Sequence, residues 1–291
     1  MPCHDRSIDR YAQEAENSAA VDSRLRIRSV DALRGIVMII MALDHVRDFF
    51  HADAMLFQPE DLVRTNSALF FTRWITHFCA PVFFFTAGMG AYFWLTKPGR
   101  TVNGLSRFLW TRGLWLMLLE LTVVRFAFFF SLTSGPLLLT VLWGLGMSMV
   151  AMAVLCCRVP IRWLAPLSVA VIALHNTADR INPADPGVFA FVWNVLHRVG
   201  VFVAGGIPII VTYPLIPWFA VMSAGYCFAP LLLLEPERRR RIVLSIGTAV
   251  TVAFVAVRAL NLYGDPAPWT TAIPDKTILS FLRTTKYPPS L

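Results

Sequence analysis

The sequence predicts an all-α fold: a polytopic bundle of about seven transmembrane helices with its N-terminus in the cytoplasm. Three observations carry that prediction. The 291 residues are 56% hydrophobic and only 15% charged, where a soluble domain carries about 25% charged residues; mean hydropathy is +0.60. Several apolar runs approach or exceed the roughly 17 to 25 residues needed to cross a bilayer. The basic residues gather in alternate loops, the pattern that fixes orientation in a membrane.

Residues 1–25 (MPCHDRSIDRYAQEAENSAAVDSRL) are polar and lack the apolar stretch of a cleaved signal. They read as a disordered cytoplasmic tail, and the transmembrane domain as 26–291. Span 1 covers about 33–50, behind Arg24, Arg26 and Arg28, and span 2 about 68–95. Lys97, Arg100 and Arg107 follow it. Span 3 covers about 108–131 and leads into an uncharged SLTSGP turn; span 4 covers about 136–157 and ends at Arg158 and Arg162. The short span 5 lies at about 163–176. A polar segment with NPADPG follows, then VGVFVAGGIPIIV, too short and Gly-rich to span and expected to be re-entrant or interfacial. Span 6 (212–234) ends at EPERRRR, and span 7 covers about 242–263.

Counted this way, Arg24, Arg26 and Arg28, then Lys97, Arg100 and Arg107, then Arg158 and Arg162, and the run 238–241 all fall on one face, which the positive-inside rule makes cytoplasmic. TTKYPPSL, at the end, reads as a lead-in to a further helix, so the native chain is expected to continue past Leu291. A net charge of +8 on topology-setting loops does not imply nucleic acid. Of Cys3, Cys79, Cys156, Cys157 and Cys227, four lie inside apolar runs, where they pack as small hydrophobes and imply no disulfide framework.

Ionisable groups at membrane depth cost roughly 2.5 to 3.5 kcal/mol each on insertion scales, so those present need a function or a partner. Asp44, His45, Arg47 and Asp48 sit in LDHVRDFFH on span 1. His77 precedes Pro81 on span 2, and Glu120 and Arg125 lie on span 3. At about 1.5 Å rise per residue, Asp44, His45, His77, Glu120 and Arg125 fall in the outer half of the membrane. If these spans are neighbours, the residues line a polar chamber opening outward. Asp44 and Asp48 share a helical face, and Arg47 is three residues from Asp44. An imidazole beside carboxylates suits a general base near neutral pH. His45 is the leading candidate, with Asp44 to orient it; His51 and His77 are the others. Arg47, Asp48, Glu120 and Arg125 are the candidate acceptor-binding residues. Each also has a structural reading, as an ion pair or hydrogen bond between helices. His175 and His197 border the second outer segment with a weaker claim. No metal-spaced Cys/His cluster, phosphate-cradling glycine loop or GxSxG elbow occurs.

RIRSVDALRGIVMIIMALDH is more specific than its composition. The order S-x-D-x-L-R-G, followed by an apolar helix with a histidine ten residues after the glycine, resembles the first helix of integral-membrane acyltransferases. The nearest likeness is to the heparan-alpha-glucosaminide N-acetyltransferase catalytic-domain family, which includes many bacterial proteins. HFCAPVFFFTAGMGAYF looks like that family's second helix, and TYPLIPWFAVMSAGY like a later one. The resemblance implies acyl transfer across a bacterial inner membrane, from acetyl-CoA on the cytoplasmic side to an amino-sugar or hydroxyl acceptor outside. Arg107 and Arg112 are then candidates to meet the phosphates of the acyl donor, and otherwise serve as topology anchors. In the wider group a histidine at the place of His45 is the expected base. In lysosomal members the active histidine lies within His-Ala after the helix, which His51-Ala52 matches across a shorter segment. The choice between His45 and His51 stays open, as does direct transfer against an acyl-histidine intermediate. Arg47 or Arg125 would stabilise the oxyanion.

Two other readings compete. A proton-coupled transporter also needs intramembrane ionisable groups, although the first and second halves show no repeat. A scaffold would use the polar cluster only to pair helices. Lipid and a small-molecule or glycan acceptor are the expected partners, with homo-oligomerisation compatible.

Overall fold

The computed structural model describes residues 28–52, 56–155, 158–181, 188–264 and 268–285. The N-terminal tail, NPADPG, Cys3, Cys156 and Cys157 lie outside the described residues. The architecture is mostly helical. In chain order the helices are α1 (Arg28–Phe50), α2 (Ser67–Thr76), α3 (Cys79–Leu95), α4 (Val102–Leu119), α5 (Arg125–Phe129), α6 (Val141–Leu155), α7 (Ile161–Leu174), α8 (Val188–Leu196), α9 (Leu215–Phe228), α10 (Pro236–Leu260) and α11 (Thr277–Leu282). Helical segments therefore stand where the seven spans are expected. Among the described residues, three helical stretches are long and apolar enough to cross a bilayer by length and composition: Ser67–Leu95, Leu215–Leu233 and Pro236–Leu260. α1 is a full 23 residues, but Arg28, Asp31 and Arg34 extend it beyond its apolar run.

The expectation of an all-α fold is corrected by a small sheet. Its strands are β1 (Leu137–Leu139), β2 (Gly200–Ala204) and β3 (Ile207–Val211), in the order β1-β3-β2. The segment expected to be re-entrant or interfacial forms a β-hairpin. Gly205 and Gly206 turn it with φ of 57° and 78°, the left-handed geometry that two-residue hairpin turns require. Val, Ile and Phe in alternation supply the strands. Pro208 is tolerated in the central strand because β1 pairs only with Ile209–Val211, so no partner faces its missing N–H.

α3 and α9 form the centre of the bundle. They cross so closely that a Cβ at Gly225 would collide with the Phe85 carbonyl, and one at Gly88 with that of Met222. α4 and α6 meet in the same way: a Cβ on Gly113 would fall 2.6 Å from Gly146 O. Phe84, Leu105, Leu109, Met152, Leu164, Trp218 and Met222 fill the core between these helices. A smaller cluster of Leu62, Phe70 and Leu279 sits where 268–285 folds back over α2.

Candidate active site

Pro81 decides where His77 stands. A proline has no N–H for the carbonyl four residues back, and its ring crowds that carbonyl. The carbonyl belongs to His77, and the helix opens there: His77 N reaches Trp74 O at 3.2 Å and Phe78 N reaches Ile75 O at 3.4 Å, in place of the regular ladder. The imidazole sits at this joint between α2 and α3.

Around it runs a chain of alternating charges. Arg47 bonds both Asp44 and Asp48. Asp44 Oδ1 also accepts from Arg73 Nη1 at 3.1 Å and from the Thr76 hydroxyl at 2.8 Å. Arg73 Nε donates to Glu60 Oε1 at 3.1 Å, and the same oxygen meets His77 Nε2 at 2.9 Å. His77 Nδ1 faces the Thr284 hydroxyl at 3.4 Å. Asp44, Arg47 and Arg73 are buried, which is tolerable because each charge has an opposite beside it. Burial pushes the Glu60 carboxyl up, but the His77 hydrogen bond and the Arg73 charge outweigh it and hold the group below its ordinary value. An ionised Glu60 can only accept, so Nε2 carries a proton toward it and Nδ1 faces Thr284.

Two anchors hold the roof of this site. Lys276 Nζ binds Leu62 O at 2.6 Å and Thr65 O at 2.8 Å. Arg258, near the end of α10, grips Phe281 O at 2.7 Å, Ser280 O at 2.9 Å and Arg283 O at 2.6 Å.

The residues singled out in the sequence are only partly brought together. Asp44, Arg47, Asp48 and His77 join the network. His45 does not: neighbouring helical residues point about 100° apart, and while Asp44 turns to α2, His45 is on an exposed face. The pairing of His45 with Asp44 does not form. His51 is exposed at the end of α1. Glu120 has a different task. It is fully buried in a π-helical turn (Glu120–Val124), where it accepts from Thr140 Oγ1 at 2.6 Å and from the amides of Leu142 and Trp143 at 3.0 and 3.3 Å. It caps the N-terminus of α6, and these bonds occupy both of its oxygens. Arg125 is buried, with Nη2 on Gly135 O at 3.1 Å and Nε without a partner. Arg107, in the second turn of α4, and Arg112, near its middle, are exposed, Arg112 lying 5.5 Å over the Phe108 ring. A second polar group joins α7 to α8: His197 Nε2 meets Asp179 Oδ1 at 2.8 Å, and Asn176 donates to Asp179 Oδ2 at 3.0 Å.

Glu60, Arg73, Thr76, Arg258 and Thr284 are not among the residues singled out. Arg73 and Arg258 carry a readable signal, a lone cation inside an apolar helix. Glu60 and Thr284 are ordinary polar residues of loops, and only folding brings them to His77.

These features define a helical membrane protein with a buried, charge-paired site at one end. The family model described as heparan-alpha-glucosaminide N-acetyltransferase, catalytic, matches residues 26–264, and the chain belongs to that family. Membership implies a membrane N-acetyltransferase, and the family in general uses acetyl-CoA as donor. Comparisons with curated proteins and with solved structures gave no significant match.

Proposed function

We propose that the protein transfers an acetyl (acyl) group from cytoplasmic acetyl-CoA to an amino-sugar or hydroxyl acceptor on the extracytoplasmic face of a bacterial inner membrane. The observation that carries this reading is the His77–Glu60 pair, an imidazole held by an ionised carboxylate at the joint between α2 and α3. His77 takes the proton of the group that attacks the acyl carbon, and Glu60 fixes its tautomer and balances the imidazolium. Arg73, bonded to both Glu60 and Asp44, keeps the carboxylate aimed. The positive-inside rule supports the sidedness: Lys97, Arg100, Arg158, Arg162 and the 238–241 run share the end opposite His77. Arg107 and Arg112, exposed on α4, suit the phosphates of the donor.

A second reading places the base at His45. The Phe49 and Phe128 rings meet at 5.8 Å, and His45 and Arg125 share the helical faces of these two rings, by i,i+4 and i,i+3. The imidazole would then work beside a buried cation able to hold an oxyanion.

Labelled acetyl-CoA and glucosamine, given to membrane vesicles carrying His45→Ala, His51→Ala or His77→Ala, separate these readings. A loss of about 100-fold or more is expected for His77→Ala. Full activity there, with loss in His45→Ala, moves the base to α1. Solute flux without consumption of acetyl-CoA overturns the transferase in favour of a carrier.

A further inference from the structure

We propose that Thr284, His77 and Glu60 form a nucleophile–base–acid constellation in which the Thr284 hydroxyl carries the acyl group between donor and acceptor. The inference rests on the acyl-transfer reading and deepens it by naming an acceptor within the chain. Its geometric basis is that the two imidazole nitrogens face different partners: Nε2 meets Glu60 Oε1 at 2.9 Å and Nδ1 meets Thr284 Oγ1 at 3.4 Å. A nucleophile on one nitrogen, and an orienting acid on the other, is the arrangement that activates a hydroxyl in unrelated hydrolases and transferases.

Thr284 is not held in place by its own long contact with His77. Arg258 grips the carbonyls of residues 280, 281 and 283 at 2.6 to 2.9 Å, and Lys276 fastens the same segment to Leu62 and Thr65. The hydroxyl is therefore set in position from outside while its contact with the base keeps slack, as befits a group that must leave the imidazole to attack. Arg258 is a positioning residue in this scheme. Glu60 is anchored in turn by Arg73 Nε at 3.1 Å.

The chemistry balances with the donor already named. Thr284 Oγ1 bonds to the acyl carbon and the carbon–sulfur bond of the thioester breaks. The hydroxyl proton passes to His77 Nδ1 and then to the departing thiolate. In the second step the acceptor amine or hydroxyl bonds to the acyl carbon and gives its proton to His77. The Thr284 ester bond breaks, and the proton returns to Oγ1.

The test uses p-nitrophenyl acetate, an activated ester that needs no coenzyme A site, on the full chain in nanodiscs, read by peptide mass spectrometry. The expected result is one acetyl group on Thr284, retained in Thr284→Ser, absent in Thr284→Val, and formed at least about 100-fold more slowly in His77→Asn. An acetyl group found on His77 instead, no label on Thr284, or an unchanged rate in His77→Asn overturns the proposal. Thr284→Ser keeps the hydroxyl and controls for loss of fold. Labelling of Thr284 by the ester, without any transfer from acetyl-CoA to glucosamine, would sink the coenzyme A reading and leave the constellation standing.

Discussion

The Thr76 hydroxyl donates to Asp44 Oδ1 across 2.8 Å, joining α1 to the last turn of α2 inside the bundle. Asp44 is thereby the hub of the site: one carboxylate serves Thr76, Arg47 and Arg73. Removing it leaves two guanidinium groups buried beside fewer acids. Asp44→Ala is expected to lower stability by about 3–5 kcal/mol, the cost of breaking a buried pair. Thermal unfolding in detergent reads the loss. The joint variant Asp44→Leu/Arg47→Met removes both charges and is expected to recover much of it, Arg73 keeping Glu60.

Glu60 gives the site an acid-sensitive edge. Its carboxyl is held below its ordinary value, so the folded state binds its proton more weakly than the unfolded chain does. The stability it contributes is complete above the unfolded value, about 4.3, and is lost as pH falls through the folded value. Glu60→Gln is expected to flatten the acid limb of stability against pH and to leave the neutral-to-basic limb unchanged in shape. Unfolding midpoints across an acid pH series check this; an acid limb as steep as the parent's contradicts it.

Glu120 predicts a stability effect of a different kind. Glu120→Ala leaves the partly buried Thr140 hydroxyl and the amides of Leu142 and Trp143 without their acceptor. A loss of about 2–3 kcal/mol is expected, with a smaller one for Glu120→Gln. Per folded molecule, transferase activity should be unchanged, which an activity assay normalised to folded protein measures.

Two glycines two residues apart, on nearly opposite faces of α3, separate packing from propensity. Gly88→Ala places a methyl on the backbone of α9, whereas at Gly90 nothing lies within 4 Å of the new Cβ. The first substitution is expected to cost about 1–3 kcal/mol and the second to gain about 0.5–1 kcal/mol from helix propensity. Melting temperatures of the two variants decide it.

The helices were legible because apolar runs and flanking arginines are local signals. The hairpin carried a local signal too: VFVA and IPIIV set β-branched and aromatic residues on either side of a diglycine, while the reading as re-entrant or interfacial concerned its place in the membrane and left its secondary structure unread. Of the site, the pairing of Arg47 with Asp44 follows from helical spacing alone, whereas the Arg47–Asp48 bond joins sequence neighbours that spacing does not pair. The orientation of His45 does not follow either, because spacing fixes which faces residues share and leaves open which face meets a neighbour. The Glu60–His77 and Thr284–His77 contacts span 17 and 207 residues, and no periodicity reports such distances.

The Glu120 cap and the Gly113–Gly146 crossing fasten α4 to α6 at two heights. A pair of rods pinned twice can neither slide nor pivot, so α4 and α6 travel as one body. α1, by contrast, meets α2 through the Asp44 carboxylate on Arg73 and Thr76 and meets α3 through Cys79 Sγ on Val37 O, and it is exposed along most of its remaining length.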